Sequence, residues 1–209
     1  MQLHVKLLTK LVIGLTLALW PSSLILTNAF KDIPSDLRNY YSFSIFAPDD
    51  QAPLIINAKR SIYPSDFVGR FFNNKAAFIY GRFKANFFAL TDPNNYFFGF
   101  HPREIVRQNL NLEKFPFISA VFLVYAFYRF NKLKRAKLFL TLFFVLVAFL
   151  SLANFDKVDF ILYPILSIFM IHGIRIMSRE KPKLYLTTSI FLIIFSIPQY
   201  LRAFVNLHP

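Results

Sequence analysis

Two short stretches carry the residue types from which a site could be built. Asp49 and Asp50 are adjacent carboxylates, and such a pair can hold a divalent ion or take a proton as a general base. Beside Pro48 the same residues also serve as plain turn formers. His101-Pro102-Arg103-Glu104 sets an imidazole, a guanidinium and a carboxylate within four residues. Arg103, together with Arg107, suits a phosphate or pyrophosphate headgroup, because a guanidinium binds such groups through two parallel hydrogen bonds. His101 and Glu104 complete a polar cluster that falls short of a metal-ligand set. Basic residues so placed also simply meet anionic lipid.

Other chemistry lacks support. The chain has no cysteine, hence no disulfide, thiolate metal site or cysteine nucleophile. It carries no Walker A loop, dinucleotide fingerprint, HExxH or G-x-S-x-G pattern, so the common soluble enzyme classes are not indicated, and no cofactor or metal is expected. The net charge of +13 is spread through short connectors between apolar runs, which argues against a nucleic-acid surface.

The elements that must position these residues are dominated by apolar runs. Hydrophobic residues make up 56% of the 209 positions, with 28 Phe and only five Gly. Such a composition calls for lipid. A basic start with Lys6 and Lys10 precedes the run Leu11 to Phe30, interrupted by Trp20-Pro21-Ser22-Ser23. Residues 1–30 therefore read as a signal anchor, with Thr27-Asn28-Ala29 offering a cleavage site for the alternative of a removed signal. Four further runs, Phe115 to Phe130, Leu138 to Asn154, Phe160 to Met177 and Leu184 to Leu201, place a transmembrane region at 115–201 and leave a short outside tail at 202–209. The expected fold is a mostly α, polytopic helical membrane protein with about five transmembrane helices. His172-Gly173, within one of these runs, reads as helix packing near a membrane surface.

Charge sets the orientation. Lys6 and Lys10, the cluster from Arg129 to Lys137, and the cluster Arg175, Arg179, Lys181 and Lys183 hold eleven Lys/Arg, against two in the other short segments. The positive-inside rule puts the eleven in the cytoplasm, with the amino terminus inside and the carboxyl terminus outside. Residues 31–114, with eleven Lys/Arg and eight Asp/Glu, then form an extracytoplasmic domain. Alternation over Tyr41 to Phe46 and the apolar Leu54-Ile55-Ile56 suggest a small hairpin. From 66 to 90 the period is that of an amphipathic helix, with Ser65 as its cap and Asp92-Pro93 as its end, and it either covers the small domain or lies along the headgroups with its Phe residues dipped in. The expectation is thus a small α+β domain. Its Tyr96, Phe97, Phe98 and Phe100 read as interfacial aromatics and core contacts.

The run Arg70-Phe71-Phe72-Asn73-Asn74-Lys75, then a helix, then Phe87-Phe88-Ala89-Leu90-Thr91-Asp92-Pro93-Asn94-Asn95-Tyr96-Phe97-Phe98, then Glu113-Lys114-Phe115-Pro116 resembles a segment of bacterial multi-pass membrane glycosyltransferases. These are of the dolichyl-phosphate-mannose or aminoarabinose transferase type. The resemblance covers about half the chain and includes no catalytic motif. It implies a polyprenyl-phosphate-linked sugar as the ligand class. The family's catalytic carboxylates lie in an early loop of a longer bundle, so Asp49 and Asp50 do not inherit that role by position. The chain would then be a half-length relative retaining the non-catalytic end.

The reading that follows is an integral membrane protein of the bacterial envelope with an accessory or binding role. Its partners would be the bilayer, an anionic lipid or polyprenyl-phosphate-linked sugar, or another membrane protein, and not nucleic acid. A glycosyltransferase-like enzyme and a small transporter subunit are the alternatives.

Overall fold

A computed structural model of the chain describes residues 2–26, 29–99, 114–132 and 136–205. In order, the helices are α1 (Gln2–Leu26), α2 (Ala29–Arg38), α3 (Tyr40–Phe43), α4 (Ala52–Arg60), α5 (Asp66–Phe72) and α6 (Lys75–Thr91). They continue with α7 (Pro93–Phe97), α8 (Ala120–Tyr128), α9 (Ala136–Leu150), α10 (Phe155–Val158), α11 (Tyr163–Glu180) and α12 (Pro182–Val205). Single 3-10 turns occupy Phe117–Ser119, Phe130–Lys132 and Asp159–Leu162. The described residues divide into two compact units: the first is 1–33, 92–144 and 160–209, the second 34–91 and 145–159.

The second unit corrects the expected α+β domain, because no strand occurs among the described residues. Pro53 lies in the first turn of α4, where its fixed φ and missing N–H favour helix initiation, so Leu54-Ile55-Ile56 winds into that helix. The other half of the expected hairpin is spent on the short α3. What remains of the extended signal is one antiparallel bridge between Ser44 and Ala153. Around it, Ile45 N–H donates to the Leu152 carbonyl at 2.9 Å and Asn154 N–H to that of Phe43 at 3.0 Å.

The amphipathic stretch 66–90 is two helices, α5 and α6. Asn73-Asn74 separates them: the Asn74 side chain accepts from Ala77 N–H at 2.9 Å and caps α6. Ser65 occupies the cap position of α5 in extended conformation, with no side-chain cap bond. In the same unit the buried Asn86 amide donates to the carbonyls of Ala153 at 2.8 Å and Ser151 at 3.3 Å. This ties α6 to the chain beyond α9, and Lys157 pairs with Asp36 at 3.3 Å.

The expectation of about five spans is also overturned. Two stretches among the described residues are long and apolar enough to cross a membrane, Asp156–Glu180 and Pro182–Arg202. The run from Phe115 yields a continuous helical segment only over Phe117–Tyr128, about 18 Å at the helical rise and well under the ~30 Å hydrocarbon layer. Pro116 opens it and Arg129 leaves the helical region with φ −102° and ψ 24°. Likewise Lys137–Leu150 reaches about 21 Å. Here the chain turns away after Leu150 to make the Ser44–Ala153 bridge. α1 runs through Pro21 without a break.

In the first unit α1, α8, α11 and α12 pack together, and their register follows from side-chain pairs. α8 and α11 run parallel, since Phe115 meets Tyr163 (ring centroids 6.1 Å) and Arg129 meets Glu180 (2.9 Å). α12 returns antiparallel to them: Phe122 is 6.5 Å from Tyr185, and Phe117 is 5.7 Å from Phe195. The reversal takes one residue, Lys181, because the position before Pro182 is driven out of the helical region. α1 follows α12, with Tyr185 Oη donating to Thr9 Oγ1 at 3.1 Å and Tyr200 Oη to the Leu15 carbonyl. Val12, Phe122, Ile174, Met177, Tyr185 and Leu192 fill the core between the four helices.

Candidate functional site

Asp49 and Asp50 do not act as a pair. Asp49 Oδ2 forms an ion pair with Arg82, and Oδ1 accepts from Gln51 N–H at 2.9 Å. Arg82 is itself held, with its guanidinium 4.9 Å from the Phe78 ring centroid and 3.5 Å from the Ile45 carbonyl. Oδ2 thus fastens the α3–α4 connection to α6, while Oδ1 turns the connection on itself. Asp50 is exposed. Among the described residues no group of three or more His, Asp or Glu could hold a metal ion.

His101, Arg103, Glu104 and Arg107 lie outside the described residues. The preceding part of that stretch is well defined. Asp92 caps α7 by accepting from Asn94 N–H at 2.9 Å, which is how Asp92-Pro93 ends one helix and starts the next. Tyr96 and Phe97 are buried, and the Tyr96 carbonyl accepts from the N–H groups of Lys114 and Phe115 at 3.1 and 2.9 Å. Tyr96, Phe115 and Trp20 each set a ring edge against Tyr163, all at 6.1 Å. This aromatic group closes one end of the first unit. Gly99, at φ 65°, takes the left-handed turn that lets the chain leave α7.

The opposite end of the same unit is cationic. Given the register of the four helices, it gathers Lys6 and Lys10 of α1, Arg129 and Lys132 beyond α8, Arg175 and Arg179 of α11, and Lys181 and Lys183 at the corner. One acid stands among them. Glu180 accepts from Tyr125 Oη at 3.3 Å and pairs with Lys132. Arg129 Nε lies 2.9 Å from Glu180 Oε2, but without the alignment of a hydrogen bond. The carboxylate thus draws three side chains from the α8 end onto the α11 end. Glu180 and Tyr125 escape a motif search. The available signal is a lone acid in an otherwise basic connector, which marks an internal counter-ion.

No protein family, curated protein or solved structure matches the chain.

Proposed function

We propose that the chain is an integral membrane protein of the bacterial envelope with an accessory, binding role. α11 and α12 cross the bilayer as a hairpin, with the amino terminus and the Lys181 corner on the cytoplasmic side. The carboxyl terminus lies on the other side. The observation that carries this reading is the convergence of the basic segments 6–10, 129–132 and 175–183 at one end of the first unit. A soluble protein has no need to sort its cations this way, whereas the positive-inside rule demands it. The aromatic group at the other end suits the far interface, where Trp and Tyr concentrate.

What is bound is an anionic headgroup, whether of a phospholipid or of a polyprenyl-phosphate-linked sugar. A transferase role would need a carboxylate available to take a proton, and Asp49 is committed to Arg82. Only the exposed Asp50 is then left for that role, and the two carboxylates do not act as a pair. Reporter fusions test the orientation: a reporter after Lys181 should read inside, and reporters after Asp156 and His208 outside. Any other order overturns it.

A further inference from the structure

The turn from α4 into α5 presents an aromatic face that its own unit leaves uncovered. On α5, Gly69 is buried against α4, where an added Cβ would stand 3.0 Å from the Arg60 carbonyl. At 100° per residue, Phe67 and Phe71 project from the opposite side, and they are 78% and 67% exposed. Phe72 continues the arc: Tyr63 stacks on it at 6.1 Å and Phe71 meets it edge-on at 5.2 Å. Ile62, next to Tyr63 in the chain, is 79% exposed. A contiguous apolar surface of this kind marks an interaction site. The helix is held rigidly, because Arg60 Nε donates to the Asn73 carbonyl at 2.7 Å.

Charge identifies what covers the face. Residues 52–91 hold six Lys/Arg against the single acid Asp66, which is paired with Arg70 at 2.8 Å. Lys59, next to Arg60, and Lys75, two residues beyond Asn73, are both exposed and lie close in sequence to the Arg60–Asn73 bond. Exposed aromatic rings in a segment of strongly positive charge complement a bilayer surface, with rings among the acyl chains and ammonium groups on the phosphates. We propose that Ile62, Tyr63, Phe67, Phe71 and Phe72 insert into the surface of an anionic bilayer, with Lys59 and Lys75 on its headgroups. This deepens the proposed membrane role and rests on it.

The test uses the full chain with Trp20→Phe, which leaves no other tryptophan, reconstituted in vesicles of phosphatidylglycerol or phosphatidylcholine with brominated acyl chains. Phe71→Trp reports on the ledge, Phe67→Trp gives a second report should the first fail to fold, and Ile190→Trp on the exposed side of α12 reports on the membrane role itself. The expected result is a blue shift and bromine quenching at both sites. Quenching at the ledge should be deeper in phosphatidylglycerol and relieved by Lys59→Gln with Lys75→Gln. Quenching at position 190 alone, with the ledge tryptophan open to acrylamide, overturns the insertion and leaves the membrane role standing. A blue-shifted ledge that bromine does not quench also overturns it, since protein then covers the face. Quenching at neither site removes both readings.

Discussion

Gly173 sets its bare backbone against the carbonyl group of Phe122 so closely that a methyl group on it would stand 2.0 Å from that oxygen. The obstacle is backbone, which cannot turn aside as a side chain would. Gly173→Ala should therefore part α8 from α11 at a cost of about 3 kcal/mol, the upper end of the usual overpacking range. Thermal unfolding in detergent measures it, and an unchanged melting temperature would contradict the close approach.

Glu180 joins the α8 and α11 ends through Tyr125, Arg129 and Lys132. Glu180→Lys should weaken the protein by adding a fifth cation to the Arg175–Lys183 segment, and Lys132→Glu in the same chain should restore part of the loss. The loss should shrink as salt is raised, because Lys132 is about half exposed. Stability that ignores both salt and the second substitution would show that the cluster is incidental.

Asn86 is buried and supplies one amide to two carbonyls. Asn86→Leu keeps the branching of the side chain but strands both acceptors, at an expected 1–3 kcal/mol, roughly the penalty for unsatisfied buried groups. The chain from 145 to 159 should then exchange its amide hydrogens faster. Unaltered exchange there would mean that Asn86 does not hold this segment.

Asp49 and Asp50 should separate on substitution. Asp49→Asn gives up the ion pair with Arg82 and should lose about 1 kcal/mol, as expected for a partly exposed pair. Asp50→Asn should be neutral. Equal effects on stability would mean that the Arg82 contact contributes nothing. Loss of a sugar-transfer activity on Asp50→Asn would establish the enzyme reading instead.

Runs of apolar residues bounded by Lys and Pro made α11 and α12 legible, because the punctuation at Lys181-Pro182 coincides with a charge cluster. Asp92-Pro93 was readable for the same reason. Length alone misled at Phe115 to Phe130 and Leu138 to Asn154, since a hydropathy run does not reveal where a helix stops. That depends on Pro116 and Arg129 in one case and on a pairing with the distant Ser44 in the other. The hairpin expected from Tyr41 to Phe46 lost its second half, Leu54 to Ile56, to the preference of Pro53 for a helix start. The Glu180 cluster was illegible because its members come from helices remote in sequence, whereas the choice of Phe67 and Phe71 as the exposed pair depends on Gly69 turning one side of α5 inward.

The single-residue link at Lys181 has a consequence for the protein's history in the cell. On the proposed topology, a link of one residue brings α11 and α12 into the bilayer together as a hairpin. Once they are in, inversion would drag Arg175, Arg179, Lys181 and Lys183 through the hydrocarbon centre, at about 2.5–3.5 kcal/mol each and roughly 10–14 kcal/mol together. On that topology, the charges at the corner hold the hairpin in the orientation taken during synthesis.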